Sequence, residues 1–126
     1  MEDSLYDGHD LETGLHDSFY FSDELDGVKS LLGRSGGSHE LAVLRLPDDT
    51  SAEKVKEIVE YWKEQFVRVC RYDKMEGYVF LGLQEDVDVE EVQEAVRDKL
   101  SNTDVIVSKI RIHANSPSLD ELAKQF

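Results

Sequence analysis

An α+β fold, with a single four-stranded antiparallel sheet and two helices on one of its faces, is what this sequence predicts. Three observations carry it. Two segments repeat apolar residues at helical spacing, four others are short apolar runs bounded by turn residues, and the two kinds alternate in a definite order. "ELAVLRLP" reads as a strand closed by Pro47. "TSAE", Thr50 to Glu53, is a capping box that opens a helix with Val55, Ile58, Val59, Trp62 and Phe66 on one face. "FVRVCRY" and "GYVFLGL" are two further strands, and the short turn Asp73 to Glu76 between them makes an antiparallel hairpin. "DVEEVQEAVRDKL" is a second helix, capped by Asp88 and buried through Val89, Val92, Val96 and Leu100. "DVIVSKIRIHA" is the last strand, and Ser118 to Glu121 cap a short terminal helix. The order β-α-β-β-α-β is the split βαβ, or ferredoxin-like, arrangement.

The 126 residues suffice for one domain, placed at 39–115, with the terminal helix in 116–126. Residues 1–38 hold nine acids against Lys29 and Arg34, which is half of the net charge of −14, and end in the linker-like "GRSGGS". That composition predicts a largely disordered segment. Within it, Ser22 as N-cap and Gly33 as stop outline a short binding helix over 22–32. Ten residues with Gly27 inside make a marginal helix in water, so it folds against something else. Phe19, Phe21, Leu25, Val28 and Leu32 are its binding residues. A contact of residues 17–32 with the domain's own sheet is one expectation, since a basic, aromatic face would accept their acids and rings.

The acidic balance argues against duplex DNA and anionic membranes, both of which need a basic footprint. No apolar run approaches a membrane span. The acidic N-terminus lacks a secretory signal's layout, and Cys70 is the single cysteine, so a reducing compartment, nucleus or cytoplasm, is expected.

Strand alternation assigns the candidate site. With Val79, Leu81 and Leu83 turned toward the helices, Tyr78 and Phe80 come to the open face. With Val67 and Val69 inward, Arg68, Cys70 and Tyr72 point out. With Ile106, Ile110 and Ile112 inward, Lys109, Arg111 and His113 point out. The first strand gives no parity, because Leu41/Val43 and Leu44/Leu46 are equally apolar. Tyr78, Phe80 and Tyr72 with Arg68, Lys109, Arg111 and His113 would then form a platform of rings and cations, the chemistry that holds single-stranded bases and phosphates.

Residues 40–114 resemble the RNA recognition motif. Its third-strand octapeptide runs basic-Gly-aromatic-small-aromatic-aliphatic, and this chain has Glu76-Gly77-Tyr78-Val79-Phe80-Leu81. Its first-strand hexapeptide corresponds to Leu41-Ala42-Val43-Leu44-Arg45-Leu46, followed by Pro47. The resemblance implies stacking roles for Tyr78 and Phe80. Ala42 replaces the first-strand ring, Glu76 replaces a basic residue, and the usual glycine between first helix and second strand is missing, so the chain resembles a degenerate member or a ferredoxin-like domain that converges on the motif. Members that lose first-strand rings often bind proteins.

No catalytic constellation stands out. "GRSGG" lacks the ending of a phosphate loop, and Cys70 has no neighbouring cysteine. His9 and His16 lie in a glycine-broken segment without ligand spacing. The expectation is a non-catalytic RRM-like interaction module without metal or cofactor, binding a protein partner in RNA-processing or regulatory machinery. Direct binding of single-stranded RNA through the sheet is the alternative, and a small-molecule regulatory domain a third.

Overall fold

In the computed structural model, which describes residues 8–126, the chain runs through eight regular elements. They are α1 (Ser18–Ser35), β1 (His39–Leu46), α2 (Ala52–Gln65), β2 (Arg68–Arg71), β3 (Tyr78–Gln84), α3 (Val89–Leu100), β4 (Val107–Ile112) and α4 (Leu119–Leu122), followed by a 3-10 turn at Ala123–Gln125. The fold is α+β. Its four strands form one open antiparallel sheet in the order β2-β3-β1-β4.

Side-chain caps start the helices. Asp88 accepts the Glu91 N–H at α3, and Ser118 accepts the Glu121 N–H at α4. At α2 the cap is Ser51, one residue beyond the expected Thr50, and accepts the Lys54 N–H; the Thr50 hydroxyl donates instead to the Pro47 carbonyl.

Cross-strand pairing fixes which residues share a face. Ala42, Leu44 and Leu46 stand opposite Gly82, Phe80 and Tyr78, and pack with Val55, Ile58, Val59, Trp62 and Phe66 of the α2 stretch and with Val92 and Val96 of α3. Leu41 and Val43 stand opposite Leu83 and Leu81 on the other face. There they meet Phe21, Leu25, Val28 and Leu32 of α1 and Leu119 and Leu122 of α4. Helices therefore cover both faces of the sheet.

This reverses the expected parity of β3. Tyr78 and Phe80 face α2 and α3, while Val79, Leu81 and Leu83 face α1. The cause is Gly82. A Cβ there would overlap the ring of Phe66, so only glycine lets that ring lie on the strand, and the strand's phase follows from it. The parity of β4 reverses with it. Ile110 and Ile112 pack on the α1 side, and Ile106, expected inward, is 67% exposed ahead of the strand. On β2, Val69 does face α2, but Val67 is 77% exposed in the α2–β2 connection.

The N-terminal expectation also needs correction. Instead of a largely disordered segment with a helix over 22–32, α1 runs eighteen residues, capped by Asp17 rather than Ser22 and passing through Gly33 to Ser35. Phe21, Leu25, Val28 and Leu32 recur at i, i+4, i+7 and i+11, so the sheet buries the whole stripe, while Gly27 lies on the solvent side with open space around it. A helix marginal alone is stabilised by the surface it covers. Upstream, Asp10 N–H donates to the Leu15 carbonyl and His9 bridges His16, which folds residues 9–16 back on themselves. Arg71 N–H donates to the His16 carbonyl at 2.9 Å, which seats His16 beside Cys70 at the outer edge of β2. Residues 1–7, the start of the segment expected to be disordered, lie outside the described residues.

Glu40 is the one strongly buried acid of the sheet, only 5% exposed. Its Oε1 accepts the Val87 N–H at 2.8 Å, and its Oε2 lies 3.2 Å from Lys109 and 3.7 Å from Arg111. The bond from Val87, followed by Lys109, holds its carboxyl below the usual 4.5 against the opposing effect of burial. A carboxyl lowered on folding stabilises the protein above about pH 4.5, and that contribution is lost as pH falls through its folded value. Glu40→Gln should therefore cost about 1–3 kcal/mol at pH 7. It should also flatten the acid limb of a urea-denaturation series between pH 7 and pH 3, where an unchanged acid limb would count against this role.

Candidate functional site

The face toward α1 is where an open sheet was expected, and its chemistry is apolar. Leu41, Val43, Val79, Leu81, Leu83, Cys70 and Ile112 form it, all buried. α1 lies along β2 on this face, and α4 closes the end near the β2–β3 hairpin through Tyr72. The Tyr72 hydroxyl donates to Asp120 at 2.9 Å, its ring meets Phe126 edge-on at 5.4 Å, and Lys74 donates to the same carboxylate at 3.1 Å. Burial, then the bond to Asp120, pushes the Tyr72 phenol up to about 12. Beyond the helices a groove of ≈ 450 Å³ remains, with Val43, Arg45, Ile106, Ser108 and Phe126 among its lining.

Polar groups mark the seam between α1 and the sheet. Ser18 Oγ donates to Asp73 at 2.6 Å, and Arg68 lies 3.6 Å from Oε2 of Glu24. The other oxygen of Glu24 is buried without a hydrogen-bond partner, which carries a desolvation cost.

Of the seven residues expected on one face, six are divided between two, and His113 lies beyond the last strand. Phe80 is fully buried against α2 and α3, and Tyr78 is half-buried on the same side. Lys109 and Arg111 are on that side too, paired with Glu40. Tyr72 and Arg68 belong to the α1 side, and His113 is exposed just past the end of β4. Antiparallel register sets this: Arg68 stands opposite Leu83 and Arg71 opposite Phe80. Of the five N-terminal residues, Phe21, Leu25, Val28 and Leu32 are buried on the sheet, whereas Phe19 is 72% exposed.

Arg71, which alternation alone did not single out, is the hub of a second polar cluster. Its Nη1 donates to Glu12 at 2.5 Å and lies 3.4 Å from Asp10, its Nη2 donates to the Gly77 carbonyl, and its guanidinium sits 4.8 Å from the centre of the Tyr78 ring. The Tyr78 hydroxyl donates to Glu12 at 2.7 Å, which lowers the Glu12 carboxyl, with Arg71 adding to the effect, and raises the Tyr78 phenol. One of the two predicted stacking rings therefore clasps the N-terminal segment to the hairpin.

Burial drives the Cys70 thiol well above its ordinary value, with Asp73, Asp17 and Glu24 adding to it, so the thiolate a nucleophile needs is suppressed. His113 is no base for it, since β2 and β4 are opposite edges of the sheet. Among the described residues no three His, Cys, Asp or Glu side chains are grouped to hold a metal, and no helix is long and apolar enough to cross a membrane. No protein-family model matches the chain, and no curated protein matches it either.

Proposed function

We propose that this chain is a non-catalytic protein-interaction module on a ferredoxin-like, degenerate RRM-like core, serving RNA-processing or regulatory machinery in the nucleus or cytoplasm. The core of the reading is the segment β1-α2-β2-β3-α3-β4 with strand order β2-β3-β1-β4, the connectivity of a split βαβ unit. α2 and α3 cover one face of that unit, and α1 and α4 are additions to the other.

One observation carries the choice of partner. The face opposite α2 and α3 already receives an amphipathic helix, and it does so with aliphatic side chains. Such a surface fits a protein helix laid in a groove. Bases need exposed rings and nearby cations, but Phe80 is buried on the far side and Tyr72 is covered by Phe126. The solvent faces of α2 and α3 add exposed Glu53, Glu57, Glu60, Glu64, Glu90, Glu91, Glu94 and Asp98, which repel a polyanion.

Affinity capture with the full chain from nuclease-treated and untreated lysate tests this reading. The same proteins should be retained in both. Capture that disappears with nuclease, or binding of a labelled single-stranded oligonucleotide at low salt that weakens steeply as salt rises, would transfer the function to RNA.

A further inference from the structure

The sheet separates two apolar clusters that do not share residues. Trp62, Phe66, Phe80, Ile58 and Val96 belong to one, and the α1 stripe with Leu41, Leu81, Leu83 and Cys70 to the other. The first is complete without α1. It holds both long helices of the split βαβ unit against the sheet and also buries Leu15 of the N-terminal clasp. Loss of α1 would therefore uncover one face without dismantling the layer that keeps the strands together.

α1 also has the features of a segment that opens by itself. Gly36 and Gly37 follow it, at φ 78° and 87°, both exposed and with open space where a side chain would stand. Gly27 weakens the helix in its middle. The buried, unpartnered oxygen of Glu24 regains water when the helix leaves. What is left behind is a row of aliphatic side chains, which does not stay bare in water.

We propose that α1 is an exchangeable cover. It opens by unwinding between the clasp at residues 8–17 and the Gly36–Gly37 hinge, and the vacated face takes an amphipathic helix of a partner protein. That helix carries apolar residues at the spacing of Phe21, Leu25, Val28 and Leu32 and an acid facing Arg68. The proposal rests on the interaction-module reading and adds how its site is regulated. Because α1 stays tethered at both ends, it competes at an effective concentration of order millimolar. The partner's apparent affinity is lowered by the small fraction of open chains.

Two unique side chains make the test direct. Cys70 is the single cysteine and lies in the α1 cluster; Trp62 is the single tryptophan and lies in the other. Reaction of Cys70 in the full chain with an aromatic disulfide reagent, compared with global unfolding followed by Trp62 emission, separates opening of the cover from loss of the fold. Cys70 should react at least about tenfold faster than global opening allows. In Leu25→Asp it should react faster still while Trp62 emission stays native, and a synthetic peptide of residues 17–35 should slow the reaction again in proportion to its occupancy. A scrambled peptide of the same composition should not. Labelling of the unmodified chain that tracks global unfolding overturns the proposal, as does a 17–35 peptide that gives no more protection than the scrambled one. If Cys70 tracks global unfolding while nuclease-resistant protein capture persists, exchange falls and the interaction reading stands. If the cover exchanges but capture depends on nuclease, the interaction reading falls instead.

Discussion

Trp62→Ala is expected to lower the stability of the chain by about 3–5 kcal/mol. Trp62 is fully buried, and its ring lies 4.6 Å from that of Phe66, tilted by 50°. Phe66 in turn rests on Gly82, so truncation removes the support of a ring that cannot settle closer to the strand. The loss is a large part of what a domain of this size has to spare. Trp62→Phe should behave differently. The indole Nε1 is buried without a partner, so replacing it removes an unsatisfied donor as well as some apolar area. The two changes oppose each other, and a cost below about 2 kcal/mol follows. Urea unfolding monitored by far-UV circular dichroism measures both. A shift of the midpoint for Trp62→Ala no larger than that for Trp62→Phe would show that this face is not the core.

Phe80→Ala is expected to cost about 3–5 kcal/mol as well, and Tyr78→Ala clearly less. Phe80 is fully buried between β3 and the α2–α3 layer, whereas Tyr78 is half-buried and its hydroxyl reaches Glu12 at the surface. The comparison matters because a base-stacking platform makes the opposite demand. There, each substitution would cost roughly 1–3 kcal/mol in affinity for single strands and leave stability nearly unchanged. Equal, small stability losses for the two, with oligonucleotide binding reduced in both, would return the rings to an open face.

The elements themselves were legible in the residues. The stripe from Val55 to Phe66 and the caps at Asp88 and Ser118 left little choice about α2, α3 and α4. Which way the strands faced was not legible from alternation. "LAVL" and "VFL" are apolar at every position, and a period of two has no phase in such a run. That continuity was itself the missing signal, because strands apolar on both sides belong to a sheet covered on both sides. The cover was present too, in the spacing of Phe21, Leu25, Val28 and Leu32, but acids and glycines around it favoured disorder when the segment was weighed alone. Arg71 and Glu40 gave no pattern at all, since their roles come from Glu12, Asp10 and Val87, which only the folded chain brings to them.

The backbone bond from Arg71 to His16 has a consequence for how copies of this chain behave in concentrated solution. A sheet border with bare amide and carbonyl groups invites a strand from another molecule. At the β2 border the His16 carbonyl already takes the Arg71 N–H, and the β4 border carries Lys109 and Arg111 on the strand itself, their charges partly met by Glu40. Colloidal behaviour thus depends on a clasp of a few residues whose ionic hub is one guanidinium, beside the Tyr78–Glu12 bond and the buried Leu15. Arg71→Ala would loosen that clasp and expose the β2 border while the two helical layers stay in place. Its first symptom should be scattered light that grows with concentration, ahead of any loss of helical signal.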